Sequence, residues 1–543
     1  MSEVSPGSDS AANPGPGRVD QTGDRRGAAV PDEPPGGVPE NRADTTDFGS
    51  RTVSGISWQV GANLVEFIAQ FGVSIALARM LFPDDFGVVA IATIATGFAS
   101  TLTDLGLGPA LVQRKEVARD HIRSCFTFST LSAVAMGLLL FAAADPISDL
   151  FREPRAAPVL RVLSLTFPLS GLTITSRALL ARRLRFEALV KIQLVASLLG
   201  PGLLSVFLAW VGFGYWSLVW GRMSQVLIAA LLTYGVARHN LRPLFSSGPF
   251  RDLFGFSFGM SLTSTVNFFA LQGDYFVIGR LMDSASLGFY TRAYSLMQLP
   301  MRFIGRALSR VMFPVAARVQ HQPERFRRAF LATFRLSMAL SLASSLVLAI
   351  LAPELIVALY GDRWAGTVPL LEILALFGVF RMTYNSAAAF VRAKGQVYRL
   401  LASQVCYAGL VLGGSWFGAS VAGLEGVAWG VSLAIMVMWG MVVGFAVRAA
   451  EVPTKIFLRE IAAVALPSLA LAAGAWAVAS SLRSAGAGGW SVLLATGSLF
   501  ASLFGVYLLF EVRRIDHPAI DRILERLPGV SKWLVPRRPT GET

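Results

Sequence analysis

From about residue 52 the chain alternates between long apolar stretches and short polar breaks. Fourteen apolar stretches can be read, at 52–80, 87–111, 122–144, 158–180, 188–212, 215–236, 253–281, 287–316, 329–352, 367–390, 398–418, 423–447, 458–480 and 490–511. A helix needs about 20 mostly apolar residues to cross about 30 Å of hydrocarbon, and each stretch supplies that length. Within a bilayer the backbone must satisfy its own hydrogen bonds, which runs of this kind do as α-helices. The pattern predicts an all-α, polytopic membrane protein with about 14 transmembrane helices.

Residues 1–50 are of another material, rich in Pro, Gly, Asp and Glu, as in Asp32-Glu33-Pro34-Pro35-Gly36-Gly37. So little apolar mass cannot offset the entropy of ordering, and a disordered cytoplasmic tail is expected. No apolar core follows a basic start there, so it does not read as a secretory signal. The expected organisation is therefore a tail at 1–50, lobes at 51–236 and 237–447, two added helices at 448–511, and a cytoplasmic C-terminal tail at 512–543.

Charge changes the picture by giving it direction. Only 15% of the residues are charged, against about 25% in soluble domains. The net charge of +14 comes largely from alternate connections. Arg114 and Lys115, Arg182 to Arg185, Arg238 and Arg242, Arg325 to Arg328, Arg392 and Lys394, and Lys455 and Arg459 fall on one side, whereas Asp84 and Asp85 fall on the other. Basic connections face the cytoplasm, which predicts a multi-pass protein of the bacterial inner membrane with both termini inside. The same reading removes nucleic acid as a partner. Two cysteines, Cys125 and Cys406, give no disulfide framework, and four histidines give no metal-ligand cluster. No phosphate-binding loop, nucleophile elbow or zinc-protease motif is present, so no enzyme activity, metal or cofactor is expected.

The first stretch ends at Arg79 and the second opens near Gly87; the seventh ends at Arg280 and the eighth opens near Gly288. Each residue of the second pair lies 201 positions after its counterpart. The copies are six helices apart and share an orientation, which implies two six-helix lobes in parallel pseudo-repeat with a substrate path between them.

Polar residues inside the membrane are costly and need a partner or water. The first helix carries Gln59, Asn63, Glu66 and Gln70 on one face, and the seventh carries Ser264, Asn267 and Asp274. Shifted by 201, Ser264 falls on Asn63 and Asn267 on Glu66. These stripes line either a hydrated cavity or helix–helix hydrogen bonds within each half. If the former, Glu66, Asn267 and Asp274 are reachable by water. The eighth helix carries Arg292, Arg302, Arg306 and Arg310, and guanidinium forks suit phosphate or carboxylate. The alternative is structural pairing with an acid such as Asp274 or Asp104, or snorkelling to the interface for Arg310. Asp104, Glu66 and Asp274 are candidates for ion coupling; Asp104 has a bland reading as the partner of Arg114. Trp210, Trp216, Trp364 and Trp490 stand near helix ends, where interfacial anchors belong.

The run Leu77-Ala78-Arg79-Met80-Leu81-Phe82-Pro83-Asp84-Asp85-Phe86-Gly87, then Asp104-Leu105-Gly106-Leu107-Gly108 and Leu111-Val112-Gln113-Arg114-Lys115, resembles bacterial polysaccharide transporters of the multidrug/oligosaccharidyl-lipid/polysaccharide flippase superfamily. Asp274 to Arg280, Leu287 to Tyr294, Leu299-Pro300, Phe313-Pro314 and Leu180 to Phe186 add to the likeness, over residues 51–447. The branch it resembles includes colanic-acid and teichuronic-acid exporters. Arg302 and Arg306 depart from the smaller residues frequent in relatives, which suggests a role particular to this substrate. The resemblance implies outward flipping of an undecaprenyl-diphosphate-linked oligosaccharide by alternating access, with membrane lipids and the pathway's polymerase and glycosyltransferases as partners. Asn63, Asn267, Arg292, Arg302 and Arg306 are the residues expected to line the cavity. The rivals are a cation-coupled small-molecule exporter and a membrane enzyme of glycan assembly; the first would prefer an acidic cavity, and the second a larger external loop.

Overall fold

The computed structural model describes residues 65–103, 108, 111–112, 117–238, 247–301 and 306–514, with only the backbone of 247–263, 306–311, 313 and 512–514. Helices in order are α1 (65–80), α2 (Pro83–Thr103), α3 (Arg119–Ala142), α4 (Ala156–Arg182), α5 (Phe186–Val211), α6 (Trp216–Val236) and α7 (Ser247–Leu281). They continue with α8 (Ser284–Pro300, resumed at Arg306–Val319), α9 (Pro323–Ile350), α10 (Asp362–Ala393), α11 (397–421), α12 (424–449), α13 (Thr454–Ser484) and α14 (Gly489–Arg514). There is no strand among the described residues. Nine helical stretches among them are individually long and apolar enough to cross a membrane, so the chain is a multi-pass membrane protein. The expected tails at 1–50 and 515–543 lie outside the described residues.

Direct contacts sort the connections into two groups. At one end, here the Asp84 end, Arg155 Nη1 meets Asp84 Oδ2 at 2.9 Å, and the Tyr215 N–H donates to Asp85 Oδ1 at 3.2 Å. Trp364 Nε1 donates to the Ala78 carbonyl at 2.8 Å, and Arg483 pairs with Glu354 at 2.6 Å. At the other, arginine-rich end, Arg182 Nη1 donates to the Val112 carbonyl at 3.3 Å, Ser176 Oγ to the Ala237 carbonyl at 3.0 Å and Lys394 Nζ to the Gln320 carbonyl at 2.9 Å. Alternate connections therefore gather at opposite ends, as the charge pattern predicts.

Two short helices, Ala144–Phe151 and Ala352–Tyr360, occupy stretches read from sequence as loops. Each is too short to cross a bilayer, so span-length reasoning passes over it. Their buried faces (Ala144, Ser148 and Phe151; Ala352, Ile356 and Tyr360) pack down onto the bundle.

The added helices α13 and α14 are tied to α9 by charge. Arg335 is held between Glu460 at 2.7 Å and Glu511 at 2.6 Å. Glu511 is 3% exposed, so Arg335→Met leaves a buried carboxylate without its cation. Breaking such a pair costs about 3–5 kcal/mol. The expected outcome is a clearly lower unfolding temperature, most of which returns in Arg335→Met/Glu511→Gln. No shift in the single variant would remove this pair from the account of how α13 and α14 dock.

Candidate functional site

Glu66 and Gln70 of α1, and Asn267 and Asp274 of α7, are bonded within their own halves. Glu66 Oε1 accepts from Gln70 Nε2 at 3.0 Å and from Ser197 Oγ of α5 at 3.1 Å. Asn267 Oδ1 accepts from Gln404 Nε2 of α11 at 3.3 Å. The arrangement repeats, an α1–α5 bond in one half and an α7–α11 bond in the other, with the two acceptors 201 residues apart. Asn267 stays exposed and Glu66 half-exposed, while Asp274 is buried. The expectation that water reaches Asp274 is therefore corrected: the Tyr290 hydroxyl covers its carboxylate at 2.7 Å. Asn63, Asp104 and Arg302 lie outside the described residues, and Arg306 opens the second part of α8 with no side chain described.

At the Asp84 end the two halves meet at a reciprocal joint. A side chain at Gly87 would strike the Ser284 carbonyl, and one at Gly288 would strike the Pro83 carbonyl. Ser284 and Gly288 stand 201 residues after Pro83 and Gly87, so the repeat read in the sequence is also a two-fold contact in space. Only glycine allows backbones this close. Around the joint, the Arg79 guanidinium donates to the carbonyls of Ala358 and Leu359, and Arg155 Nη2 donates to Ser284 Oγ at 3.1 Å. Trp364, expected as an interfacial anchor, is instead fully buried beside Phe86 and Phe289. Its position near a helix end suggested lipid, but that helix end is covered by the other half of the molecule.

Burial raises the pKa of the Glu153 carboxyl, yet the hydrogen bonds from Arg155 and Ser284 and the Arg155 charge together hold it below its ordinary value. A lowered folded-state pKa stabilises above the unfolded value of 4.5 and is lost as pH falls through the folded one. Acidification below that range is thus expected to lower the unfolding temperature of the parent more than that of Glu153→Gln. Parallel pH dependences would sink the assignment.

Arg292 lies directly behind the joint, eight residues into α8 or about 12 Å along it. Its Nη1 donates to Ser74 Oγ of α1 at 2.6 Å. Its guanidinium carbon sits 3.9 Å from the Phe86 ring centroid and 5.9 Å from that of Trp364. This is cation–π seating across the two halves rather than pairing with Asp274. The buried Nε has no hydrogen-bond partner among the described residues.

A further charge escaped sequence reasoning. Arg381, 8% exposed in α10, donates to the hydroxyls of Tyr294 and, at 3.5 Å, Tyr407. Tyr294 stacks on Tyr290, the residue that covers Asp274, with ring centroids 5.9 Å apart. The available signal was the lone arginine in Val379-Phe380-Arg381-Met382, since an intramembrane charge implies a partner.

Residues 76–369, more than half of the chain, match the polysaccharide biosynthesis protein family. The chain belongs to that family. The succinoglycan biosynthesis transport protein ExoT of Rhizobium meliloti is similar at 30% identity over 357 residues, 65% of this chain and 71% of the relative. The teichuronic acid biosynthesis protein TuaB of Bacillus subtilis is 26% identical over 63% of this chain and 71% of its own length. The lipopolysaccharide biosynthesis protein WzxC of Escherichia coli is 23% identical over 68% of this chain and 76% of its own. Among solved structures, the lipid II flippase MurJ in an inward closed conformation aligns with a TM-score of 0.68 at 13% identity, over 85% of this chain and 100% of that one. An inward-facing multidrug resistance MATE family transporter aligns at 0.59 and 16% identity, over 72% and 96%. At such identities the fold is what is shared. This polysaccharide biosynthesis family member is accordingly a membrane protein of transporter type and not an enzyme.

Proposed function

We propose that this protein moves an undecaprenyl-diphosphate-linked oligosaccharide across the bacterial cytoplasmic membrane by alternating access. The observation that carries the reading is the reciprocal glycine joint with Arg292 behind it: two repeat-related halves meet at one end, and a cation is presented just beneath. Assigning the arginine-rich end to the cytoplasm by the positive-inside rule makes this conformer closed to the outside. Residues 51–236 and 237–447 are then the two lobes that rock about the joint, and both termini are cytoplasmic. The names of the relatives, a succinoglycan transport protein and a lipid II flippase among them, supply the substrate class. Glycosyltransferases would deliver the substrate and a polymerase would consume it.

In this reading Arg292 offers its unpartnered Nε to the diphosphate, Asn267 and Asn63 face the glycan, and Arg302 and Arg306 extend the cationic lining toward the cytoplasm. Glu66 remains the acid exposed enough to take part in ion coupling. The burial of Asp274 under Tyr290 favours a structural task. The expected result is loss of glycan export in Arg292→Gln at unchanged protein abundance, with partial recovery in Arg292→Lys, which keeps charge but loses the fork. Full export from Arg292→Gln would overturn the assignment. Export of small cationic compounds by the wild type, without glycan export, would favour the small-molecule exporter.

A further inference from the structure

We propose that the N-terminal half holds a second anion site, a pocket between α4, α5 and α6 that takes a phosphate-bearing group from the arginine-rich end. A cavity of about 140 Å³ is lined there by Ser170, Thr173 and Arg177 of α4, Gln193 of α5, and Arg222 and Gln225 of α6. None of its lining residues is acidic. Arg222 Nη1 donates to the neutral Gln225 Oε1 at 2.8 Å, and Arg177 makes no hydrogen bond or ion pair among the described residues.

The local fold explains the opening. Between Leu198 and Leu204 the α5 backbone widens into a π-helical turn around Pro201. There α5 and α6 approach so closely that a side chain at Gly200 would collide with the backbones of Gly221 and Gln225. On the arginine-rich side of that constriction lies the cavity, lined by these polar side chains. Two guanidinium groups and no carboxylate line one small cavity, so an anion entering it meets cationic donors and no opposing acid. Their forks, together with hydroxyl and amide donors, match phosphate oxygens.

Size limits the occupant. A cavity of about 140 Å³ suits a phosphate or diphosphate better than a whole glycan. Two sources share that chemistry: the polyprenyl diphosphate of the substrate and the headgroup of an anionic phospholipid. The first assignment rests on the transport reading above. In it, the pocket is a loading position on the cytoplasmic side, distinct from Arg292 at the joint.

The test uses full-length protein in nanodiscs of phosphatidylcholine, with inorganic pyrophosphate as the probe and calorimetry as the readout. Arg222→Gln and Arg177→Gln are expected to bind at least about tenfold more weakly than wild type, in line with the loss of a charged hydrogen bond. Arg222→Lys should fall between. Arg177→Gln removes no internal partner, so it keeps the test open if Arg222→Gln misfolds. Repeating the titration in phosphatidylglycerol nanodiscs at 1 M salt, where the surface potential is screened within about 3 Å, separates the sources: weaker pyrophosphate binding there than in phosphatidylcholine at the same salt assigns the pocket to a lipid headgroup, and undiminished binding assigns it to the diphosphate. Equal affinities in wild type, Arg222→Gln and Arg177→Gln, or no binding in phosphatidylcholine, would overturn the proposal. Glycan export by the same wild-type protein, measured in parallel, keeps the two ideas apart. Export without the pyrophosphate effect removes the pocket alone, and the effect without export removes the transport reading alone.

Discussion

Gly87→Ala combined with Gly288→Ala is expected to abolish glycan export while leaving protein abundance near wild type. Each new methyl group meets a backbone carbonyl, that of Ser284 or Pro83, which cannot swing aside as a flexible side chain would. Overpacking of this kind costs about 1–3 kcal/mol per site. On the alternating-access reading proposed above, it acts only on the state in which the halves touch, so it is a bias between conformers rather than a loss of folding. Shifting a two-state equilibrium from 1:99 to 99:1 takes about 5.5 kcal/mol, which puts the double variant near a full lock and each single variant at a partial one. Ser284 is 8% exposed in the joint. In a background with Cys125 and Cys406 replaced by Ala, Ser284→Cys should resist a membrane-impermeant thiol reagent and become reactive in the double variant. Normal export from Gly87→Ala/Gly288→Ala would show that the cycle does not pass through this joint.

Arg381→Gln is expected to cause a large loss of stability, comparable with that of Arg335→Met. Residue 381 lies thirteen positions into the helix that starts at Val368, about 20 Å along it, and is almost wholly covered. Its guanidinium is satisfied by Tyr294 and Tyr407, and Asp274 stands beyond the stacked Tyr290. Removing the cation leaves the carboxylate in a buried setting with less countercharge, a loss of about 3–5 kcal/mol by analogy with broken buried pairs. Steady-state abundance should drop several-fold, because a few kcal/mol is a large share of a protein's net stability. Arg381→Gln/Asp274→Asn removes both charges, and its unfolding temperature should fall by less than the two single shifts together. Additive shifts would mean that the two ends of the tyrosine chain do not sense each other.

The alternation of basic and acidic connections and the 201-residue repeat were legible because both are periodic and local. Each needs only residues within one connection, or one offset applied along the chain. The reciprocal use of Gly87 and Gly288 was half legible: their correspondence is in the sequence, but their meeting with the opposite copy is not. Trp364 was misplaced because the same residue at a helix end serves lipid in one setting and a protein joint in another. Arg381 is linked to Tyr294 across 87 residues and to Tyr407 across 26, and no short pattern joins them. Arg222 is the one charged residue of a mostly apolar helix, and its meaning comes from Arg177 and Gln193 on two neighbouring helices.

Glycine-on-glycine contact also runs along α11 and α12, where Gly414 faces Gly430 and Gly418 faces Gly426. Between the helices stand only Ala422 and Gly423, the latter at φ 59° and ψ −137°, which favours glycine. A connection so short offers no slack for one helix to wait at the membrane surface while the other is made. The pair should therefore leave the insertion machinery together, as a preformed hairpin whose partners are chosen during synthesis. Substitutions at Gly418 or Gly426 would then act at biogenesis, showing up as nascent chains degraded early rather than as finished transporters that work slowly.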